Sequence, residues 1–267
     1  MIAHLVQFDI AWEDPDANRD RVERMLDDTD VGEGDLVLLP ELFDSGFSMN
    51  TERTHDGNGA TRAMLQCLAD DLGCYVQGGR TLRTCSSCLA QNVATTFGPG
   101  GEPLCEYQKV HPFSFGKEAE HFAGGNDIKL WDWAGVRVCP AICYDLRFPE
   151  LYRLGAIQGA ELFALGANWP SARHEHWRLL TIARAIENQA IMLCCNRTGS
   201  DPHLDYLGGS IAVDHMGSVL GELGTEEAVL TIELDIATQR RWREQFKALA
   251  DIRLLTHAQT RRGVPMP

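Results

Sequence analysis

Short apolar runs alternate with amphipathic segments along the first part of the chain. The run over residues 35–40 is nearly continuous, which is typical of a strand buried on both faces, and residues 1–8 predict an earlier strand. Between them, Asp14 and Pro15 suit a helix N-cap and first turn, and apolar residues repeat at helical spacing at Val22, Met25 and Leu26. The order strand, helix, strand implies a parallel crossover and therefore an α/β fold.

The rest of the chain repeats these two patterns. Helices are expected over residues 61–72, 149–154 and 174–189. Strands are expected over residues 75–79, 91–97, 102–108, 136–142, 162–165, 190–196, 210–213, 219–223 and 229–235. Glycine-rich turns at 98–101 and 215–217 predict two hairpins.

No linker, repeat or low-complexity tract divides the chain. We therefore expect a single domain over residues 1–267, with a core to about residue 245 and a C-terminal tail over about 246–267. From Arg240 onward the chain is basic and weakly periodic, which suggests a tail that packs on a surface. The predicted helix 174–189 is apolar on more than one face, so either the core or a partner subunit is expected to cover it.

Composition narrows the class of protein. The chain is 44% hydrophobic and 23% charged, the balance of a globular protein. Its net charge of −14 argues against broad contact with nucleic acid or an anionic membrane. No apolar run is long enough to span a membrane, and the N-terminus lacks a signal-peptide pattern, so we expect a cytoplasmic protein.

Nine cysteines are present, and in a cytoplasmic protein we expect them to be reduced. Cys85 and Cys88 have the C-x-x-C spacing of a redox or zinc site, in a segment that reads as a loop or hairpin end. No second such pair completes a zinc site, and a functional dithiol is the less favoured interpretation.

Three ionisable residues each stand just after an apolar strand: Glu41, Lys109 and Cys143. Because ligands of open α/β sheets gather beyond the carboxyl ends of strands, these side chains are expected to meet. A carboxylate can take the proton of a thiol, and an ammonium stabilises both a thiolate and an oxyanion. The set predicts acyl transfer through a thioester. The structural alternatives are a core cysteine, a helix-start acid and a solvated lysine.

Three longer blocks carry these residues: residues 39–43, 107–113 and 142–149. Together with residues 167–170, 183–189 and 195–199, they resemble the motifs of the nitrilase superfamily of carbon–nitrogen hydrolases, and the blocks look closest to its bacterial omega-amidase-like branch. The resemblance implies a four-layer αββα sandwich, a homodimer formed through helices that follow the nucleophile, and neither a cofactor nor a metal.

The resemblance also assigns roles. It implies Glu41 as general base, Lys109 as oxyanion stabiliser and Cys143 as nucleophile. A second family glutamate fits Glu118 best, with Glu120 as the competitor. The backbone N–H of the residue after the nucleophile would help to hold the oxyanion. Further candidates for contact with a small amide substrate are Tyr144, through that backbone N–H, and the side chains of Trp169, Arg147, Arg173 and Arg197.

Each substrate candidate has an ordinary alternative. The arginines are as well explained as structural ion-pair partners, and Trp169 as a core residue. The leading function is hydrolysis of a small linear ω-amide of a 2-oxo acid. A carbamoyl amino acid or a nitrile is the nearest rival substrate. A non-catalytic scaffold that retains the fold, and a redox protein that uses Cys85 and Cys88, are the alternatives from other classes.

Overall fold

The computed structural model describes residues 1–254. Its helices are α1 Pro15–Asp27, α2 Thr51–Thr54, α3 Ala60–Asp71, α4 Pro149–Ile157, α5 His174–Asn188 and α6 Ile236–Gln245. Its strands are β1 Ile2–Gln7, β2 Leu36–Leu38, β3 Tyr75–Leu82, β4 Gln91–Phe97, β5 Pro103–Gln108, β6 Trp131–Trp133, β7 Val136–Ile142, β8 Leu162–Ala167, β9 Ile191–Asn196, β10 Thr198–Ser200, β11 Asp205–Leu207, β12 Ile211–Val213, β13 Val219–Glu222 and β14 Ala228–Glu233.

Two six-stranded mixed sheets form the centre of the structure. The first has the order β14-β1-β2-β3-β4-β5 and the second the order β13-β12-β9-β8-β7-β6. Strands β1, β2 and β3 run parallel, which confirms the predicted crossover, and β7, β8 and β9 are the parallel strands of the second sheet. The remaining neighbours are antiparallel, including the predicted hairpins β4–β5 and β12–β13.

Three apolar clusters separate four layers. One lies between α1, α3 and the outer face of the first sheet and includes Val22, Leu65 and Val76. A second lies between the two sheets, where Leu38 and Leu193 take part. The third packs α4 and α5 on the outer face of the second sheet. Helices therefore cover both outer faces, and the expected αββα sandwich is confirmed.

Some elements differ from the sequence prediction. No helix was predicted near Arg240, where the structure has the capped helix α6, whose Asp235 side chain accepts the Thr238 N–H at 2.9 Å. The segment packs on the surface as expected, since Arg243 donates to the carbonyls of Ala160 and Gln189. The short strands β6, β10 and β11 were not predicted. Most of the predicted C-terminal tail, residues 255–267, lies outside the described residues. Within the described part of the chain, every helix is too short or too polar to cross a membrane.

One cysteine pair corrects the expectation of reduced thiols. Cys85 and Cys88 are joined in a disulfide, with their Cα atoms 5.2 Å apart. The two intervening residues turn the chain back on itself, and the backbone N–H of Cys88 reaches the carbonyl of Cys85. The C-x-x-C spacing places the two cysteines within the distance range of a disulfide, and this local geometry opposes the expectation drawn from the compartment.

Candidate active site

Cys143 stands at a sharp change of chain direction. Strand β7 ends at Ile142, and a five-residue 3₁₀ turn begins at Cys143 itself. Cys143 has φ of 43°, a left-handed conformation that is strained for a residue with a Cβ. The thiol, on a residue only 8% exposed, is thereby turned out of the strand and into a cavity at the end of the sheet.

A buried carboxylate holds this turn in place. Asp145 accepts the backbone N–H of Ile142 at 3.0 Å and the hydroxyl of Tyr107 at 2.7 Å. Its other oxygen accepts the backbone N–H of His111 at 3.0 Å and lies 2.8 Å from that residue's Nδ1. Asp145 was not among the predicted site residues, although its position two residues after the thiol was the available signal.

Glu41 enters the same region from the other sheet. It follows β2, and its backbone passes between β3 and β8 at points where both strands carry glycine. A Cβ on Gly79 would lie 2.9 Å from the Glu41 Cα, and one on Gly166 would lie 2.9 Å from its nitrogen. Larger residues at either position would displace the carboxylate. Its Oε2 accepts the backbone N–H of Asn168 at 3.0 Å.

Lys109 lies between two buried carboxylates. Its Nζ is 2.7 Å from Oε1 of Glu41, and 2.8 and 3.1 Å from the two oxygens of Glu118. Glu118 is completely buried and also accepts the backbone N–H of Phe113 at 2.5 Å, whereas the competing Glu120 is exposed. The structure therefore brings Glu41, Lys109 and Glu118 together, and neither the solvated-lysine nor the helix-start alternative describes them.

Asn92 completes this buried cluster and was missed from the sequence. Its Nδ2 donates to Oε1 of Glu41 at 2.8 Å and to Oε1 of Glu118 at 3.0 Å. Its carbonyl accepts the backbone N–H of Lys109 at 2.9 Å. Asn92 thus bridges the same two oxygens as Lys109 without adding charge. An amide inside a buried strand was the signal, since buried polar groups need partners.

Burial and charge set the protonation of the cluster. Burial raises the pKa of Glu41, but the adjacent Lys109 ammonium outweighs it, so the pKa lies below its ordinary value. Burial acts to lower the pKa of Lys109, but Glu118 and Glu41 raise it above its ordinary range. Burial, followed by the charge of Glu41, raises the pKa of the Cys143 thiol. At neutral pH the site therefore holds a thiol, a carboxylate and an ammonium.

An open cavity leads to the thiol. It encloses about 370 Å³ including its mouth, at the small end of the range for ligand sites. Its lining comprises Phe47, Lys109, Phe113, Cys143, Tyr144, Arg147, Asn168, Trp169, Pro170, Arg173 and Leu204. Four of the five predicted substrate contacts are therefore at the cavity. Phe47, Phe113, Asn168 and Leu204 had not been singled out as contacts.

Two guanidinium groups face this cavity. Arg147 lies 4.8 Å from the centroid of the Trp169 ring, and Arg173 lies 5.3 Å from that of Phe113. Burial, and then the positive charge of Arg173, lowers the pKa of Arg147, which indicates that the two cations lie close enough to repel each other. Within residues 1–254, neither forms a salt bridge with a carboxylate, which leaves both able to bind an anion.

Arg197 corrects one expectation. Its side chain is fully buried, donates to Asp9 at 2.6 Å and lies 4.3 Å from the centroid of the Tyr206 ring. It is absent from the cavity lining. The structural alternative, an ion-pair partner that fixes β10 and β11 to the first sheet, describes it better than contact with substrate.

The fold and the cavity define a class of protein. A thiol whose pKa responds to a nearby buried carboxylate, with an ammonium 2.7 Å from that carboxylate, is an arrangement suited to acyl transfer. The carbon–nitrogen hydrolase family model matches residues 2–244. The chain belongs to this family of enzymes.

Named relatives cover nearly the whole chain. The 2-oxoglutaramate amidase of Bacillus subtilis is 32% identical over 250 residues, which are 93% of this chain and 96% of the relative. Omega-amidase YafV of Yersinia enterocolitica is 34% identical over 249 residues, 92% of this chain and 94% of the relative.

Solved structures agree with the fold. XC1258 from Xanthomonas campestris, a CN-hydrolase superfamily protein with an arsenic adduct in its active site, has a TM-score of 0.88 at 34% identity, covering 95% of this chain and 97% of that one. A Nesterenkonia amidase of the nitrilase superfamily has a TM-score of 0.83 at 26% identity, covering 97% and 96%.

Proposed function

We propose that this enzyme hydrolyses the terminal amide of a small linear ω-amide that also carries a carboxylate, as in 2-oxoglutaramate. One observation carries the proposal. A buried thiol, carboxylate and ammonium converge at one end of a small cavity whose lining also includes two guanidinium groups, neither of which pairs with a carboxylate of residues 1–254. The names of the amidase relatives agree with this substrate class.

The first half of the reaction forms a thioester. Glu41 accepts the proton of the Cys143 thiol while the sulfur attacks the amide carbon. The carbonyl oxygen becomes an oxyanion, which the Lys109 ammonium and the backbone N–H of Tyr144 stabilise. Glu41 then returns the proton to the leaving nitrogen, and ammonia departs.

The second half returns the enzyme to its starting state. Glu41 takes a proton from water, whose oxygen attacks the thioester carbon, and the same donors hold the second oxyanion. The carbon–sulfur bond breaks, Glu41 returns its proton to the Cys143 sulfur, and the product acid gives its own proton to solvent and leaves as a carboxylate. Glu118 and Asn92 are positioning residues. Glu118 accepts a buried hydrogen bond from Lys109, and Asn92 donates to both Glu41 and Glu118, so together they fix the positions of Lys109 and Glu41.

We assign the substrate carboxylate to the two guanidinium groups. Replacement of Arg147 by glutamine is expected to raise KM for a carboxylate-bearing ω-amide about 10- to 100-fold, because a hydrogen bond to a charged group is lost. Arg173→Gln should act in the same direction. Steady-state ammonia release over a range of substrate concentrations measures both effects.

A neutral amide of equal length is the matched control for this prediction. Its KM should change little in either variant, because it has no carboxylate to lose. Arg178→Gln removes a surface guanidinium that pairs with Glu222 and should leave both substrates unaffected. Equal losses for charged and neutral amides would assign the arginines a structural role instead.

A substrate panel separates the proposed activity from its nearest rivals. The purified protein is offered linear ω-amides, N-carbamoyl amino acids and aliphatic nitriles, with ammonia measured for each. We expect the highest kcat/KM for an ω-amide with a carboxylate at its other end. A preference for a nitrile or a carbamoyl compound would keep the thiol chemistry and overturn the substrate assignment.

We also propose a homodimer built on α5. Leu179 and Ile186 are 53% and 51% exposed, and their seven-residue separation puts them on one helix face. The β12–β13 turn extends this face, since a Cβ at Gly217 would touch Ile186 and the adjacent Met216 is 50% exposed. A second copy of this chain would cover the apolar patch.

The cytoplasmic location stays a prediction.

Light scattering after size exclusion tests the dimer. The wild-type protein should have a light-scattering mass of about twice 29.6 kDa. Ile186→Glu should lower this mass toward that of a single chain, because it places a charge in an apolar contact. Ile2→Glu, at an exposed position on β1, is the control and should stay dimeric. A wild-type protein of single-chain mass would refute the assignment.

A further inference from the structure

The Cys85–Cys88 disulfide closes an exposed turn that leads directly into the buried cluster. Strand β3 ends at Leu82, and β4 begins three residues after Cys88. The second residue of β4 is Asn92, which donates to both Glu41 and Glu118. Only Leu89, Ala90 and Gln91 separate the disulfide from this donor, so a change in the turn is passed along a very short stretch of backbone.

An apolar cluster next to the turn packs beside Glu41 and reaches the cavity wall. Ala90 packs with Leu42, the neighbour of Glu41, and with Phe122, all three being almost completely buried. Phe47, which lines the cavity over Cys143, packs against the same cluster. The cluster that contains Ala90 therefore extends to the wall of the cavity and to the residue next to Glu41.

Backbone hydrogen bonds tie the turn to Glu118 as well. Ala90 donates to the carbonyl of His121 at 2.9 Å and accepts the N–H of Ala123 at 2.8 Å. Phe122 in turn donates to the carbonyl of Glu118 at 2.8 Å. The 3₁₀ turn that carries Glu118 is thus anchored on the residue that leaves the disulfide loop.

The turn is open to a reaction partner. Residues 84–89 are all exposed, and Cys88 lines an open groove together with Leu89, Glu120 and His121. Arg83 donates to the carbonyl of Ser86, inside the four-residue loop, at 2.5 Å. The Arg83 guanidinium also pairs with the exposed Glu52 at 3.7 Å, but it stays against this loop, where a positive charge favours release of a thiolate in disulfide exchange.

We propose that Cys85 and Cys88 form a reversible thiol–disulfide exchange site, with a dithiol as its reductant, that tunes the catalytic rate through Ala90 and Asn92. This inference rests on the proposed amidase function for its activity readout. A thiolate of the dithiol attacks one sulfur of the pair, forming a mixed disulfide, and the other cysteine leaves as a thiolate and is protonated. The second thiol of the reductant then displaces the remaining cysteine. Two electrons and two protons pass from the dithiol to the pair.

Reduction is expected to lower kcat about tenfold with little change in KM, because small shifts of catalytic groups cost more rate than binding. The protein is equilibrated in dithiothreitol buffers of graded potential, and ammonia release is measured at each. Alkylation followed by mass measurement counts the thiols of Cys85 and Cys88 in the same samples. Activity and disulfide content should fall together along one titration curve.

Matched variants exclude other cysteines. Cys85→Ser/Cys88→Ser should have the activity of the reduced protein and no response to dithiothreitol. Cys67→Ser, which removes an exposed thiol elsewhere, should respond like the wild type. An unchanged kcat across the titration, or an equal response in the double variant, would overturn the proposal.

A second measurement needs no substrate. Hydrogen exchange at the amides of Ala90, Phe122 and Ala123 should speed up on reduction in the wild type and stay constant in the double serine variant. If no ω-amide is hydrolysed in either redox state, the proposed function fails, whereas this exchange result still decides whether the disulfide controls the site. Equal exchange in both states would show that it does not.

Discussion

Replacement of Cys143 by alanine is expected to lower kcat for amide hydrolysis by about 10⁴-fold or more, since nucleophile loss leaves only binding and oxyanion stabilisation. Of the described residues that line the cavity, Cys143 is the nucleophile best suited to form an acyl intermediate beside Glu41 and Lys109. Alanine keeps a Cβ at the strained φ of 43°, so the turn should retain its shape. Ammonia release measures the loss.

Two further measurements separate lost chemistry from lost structure. The variant should unfold at nearly the wild-type temperature and should still bind the ω-amide in calorimetry. With the wild type, intact-mass measurement during turnover should detect an acyl adduct. Digestion should then locate this adduct on the peptide that contains Cys143. Cys67→Ala, an exposed thiol outside the cavity, is the matched control. Undiminished turnover by Cys143→Ala would rule out the thioester route.

The fold was predictable because its signals are local. Apolar runs predicted the strands β1 to β3 and β7 to β9, the helix between the first two predicted their parallel crossover, and the turn at 98–101 predicted the hairpin β4–β5. Short strands such as β6, with only three residues, carry too little pattern to be seen. Helix α6 is strongly polar, so its stability depends on its N-cap and on long-range contacts. One of these is the hydrogen bond from the Gln239 side chain to the carbonyl of Glu161, which a local sequence pattern cannot predict.

The convergence of Glu41, Lys109 and Cys143 could be anticipated because each follows a strand, and strand ends meet at one edge. Their precise partners could not. Asn92 and Asp145 act through hydrogen bonds to residues between 3 and 51 positions away, and only the three-dimensional structure pairs them. Glu118 was chosen over Glu120 from the family resemblance alone, and the physical difference between them, burial in a 3₁₀ turn, shows no periodic pattern in the loop sequence.

For Arg197 and for the Cys85–Cys88 pair, the sequence prediction named the residues but gave them the wrong role or state. Residue type suggested a substrate contact for Arg197, but a buried guanidinium is equally suited to hold distant strands together, as it does with Asp9. For the cysteines, the expected compartment outweighed the geometry of a short turn. In both cases chemistry alone was ambiguous, and the position in the fold decided between the alternatives.

Glu41→Gln is expected to lower kcat by about 10³- to 10⁴-fold, because general acid–base catalysis supplies 10²–10⁴ and both half-reactions need this proton carrier. Glutamine has the same shape, so the backbone between Gly79 and Gly166 should keep its path. Its NH₂ group, however, must face a donor, since the oxygens of Glu41 accept from Lys109 on one side and Asn168 on the other. A stability loss of about 3 kcal/mol is expected as well, from the weakened buried ion pair.

The pH dependence provides an independent check of the same residue. The pKa of Glu41 lies below its ordinary value, so the acid limb of kcat/KM should fall at a pH below the range usual for a glutamate. The depressed pKa of Glu41 also stabilises the folded state at any pH above the pKa of Glu41 in the unfolded chain. This stabilisation is lost as the pH falls through the lower pKa of Glu41 in the folded protein. Both effects should be absent in Glu41→Gln and unchanged in Glu120→Gln, an exposed glutamate of the neighbouring turn. A variant of Glu41 that retains more than a tenth of the wild-type kcat would contradict its role as the proton carrier, and a retained acid limb would assign that limb to another group.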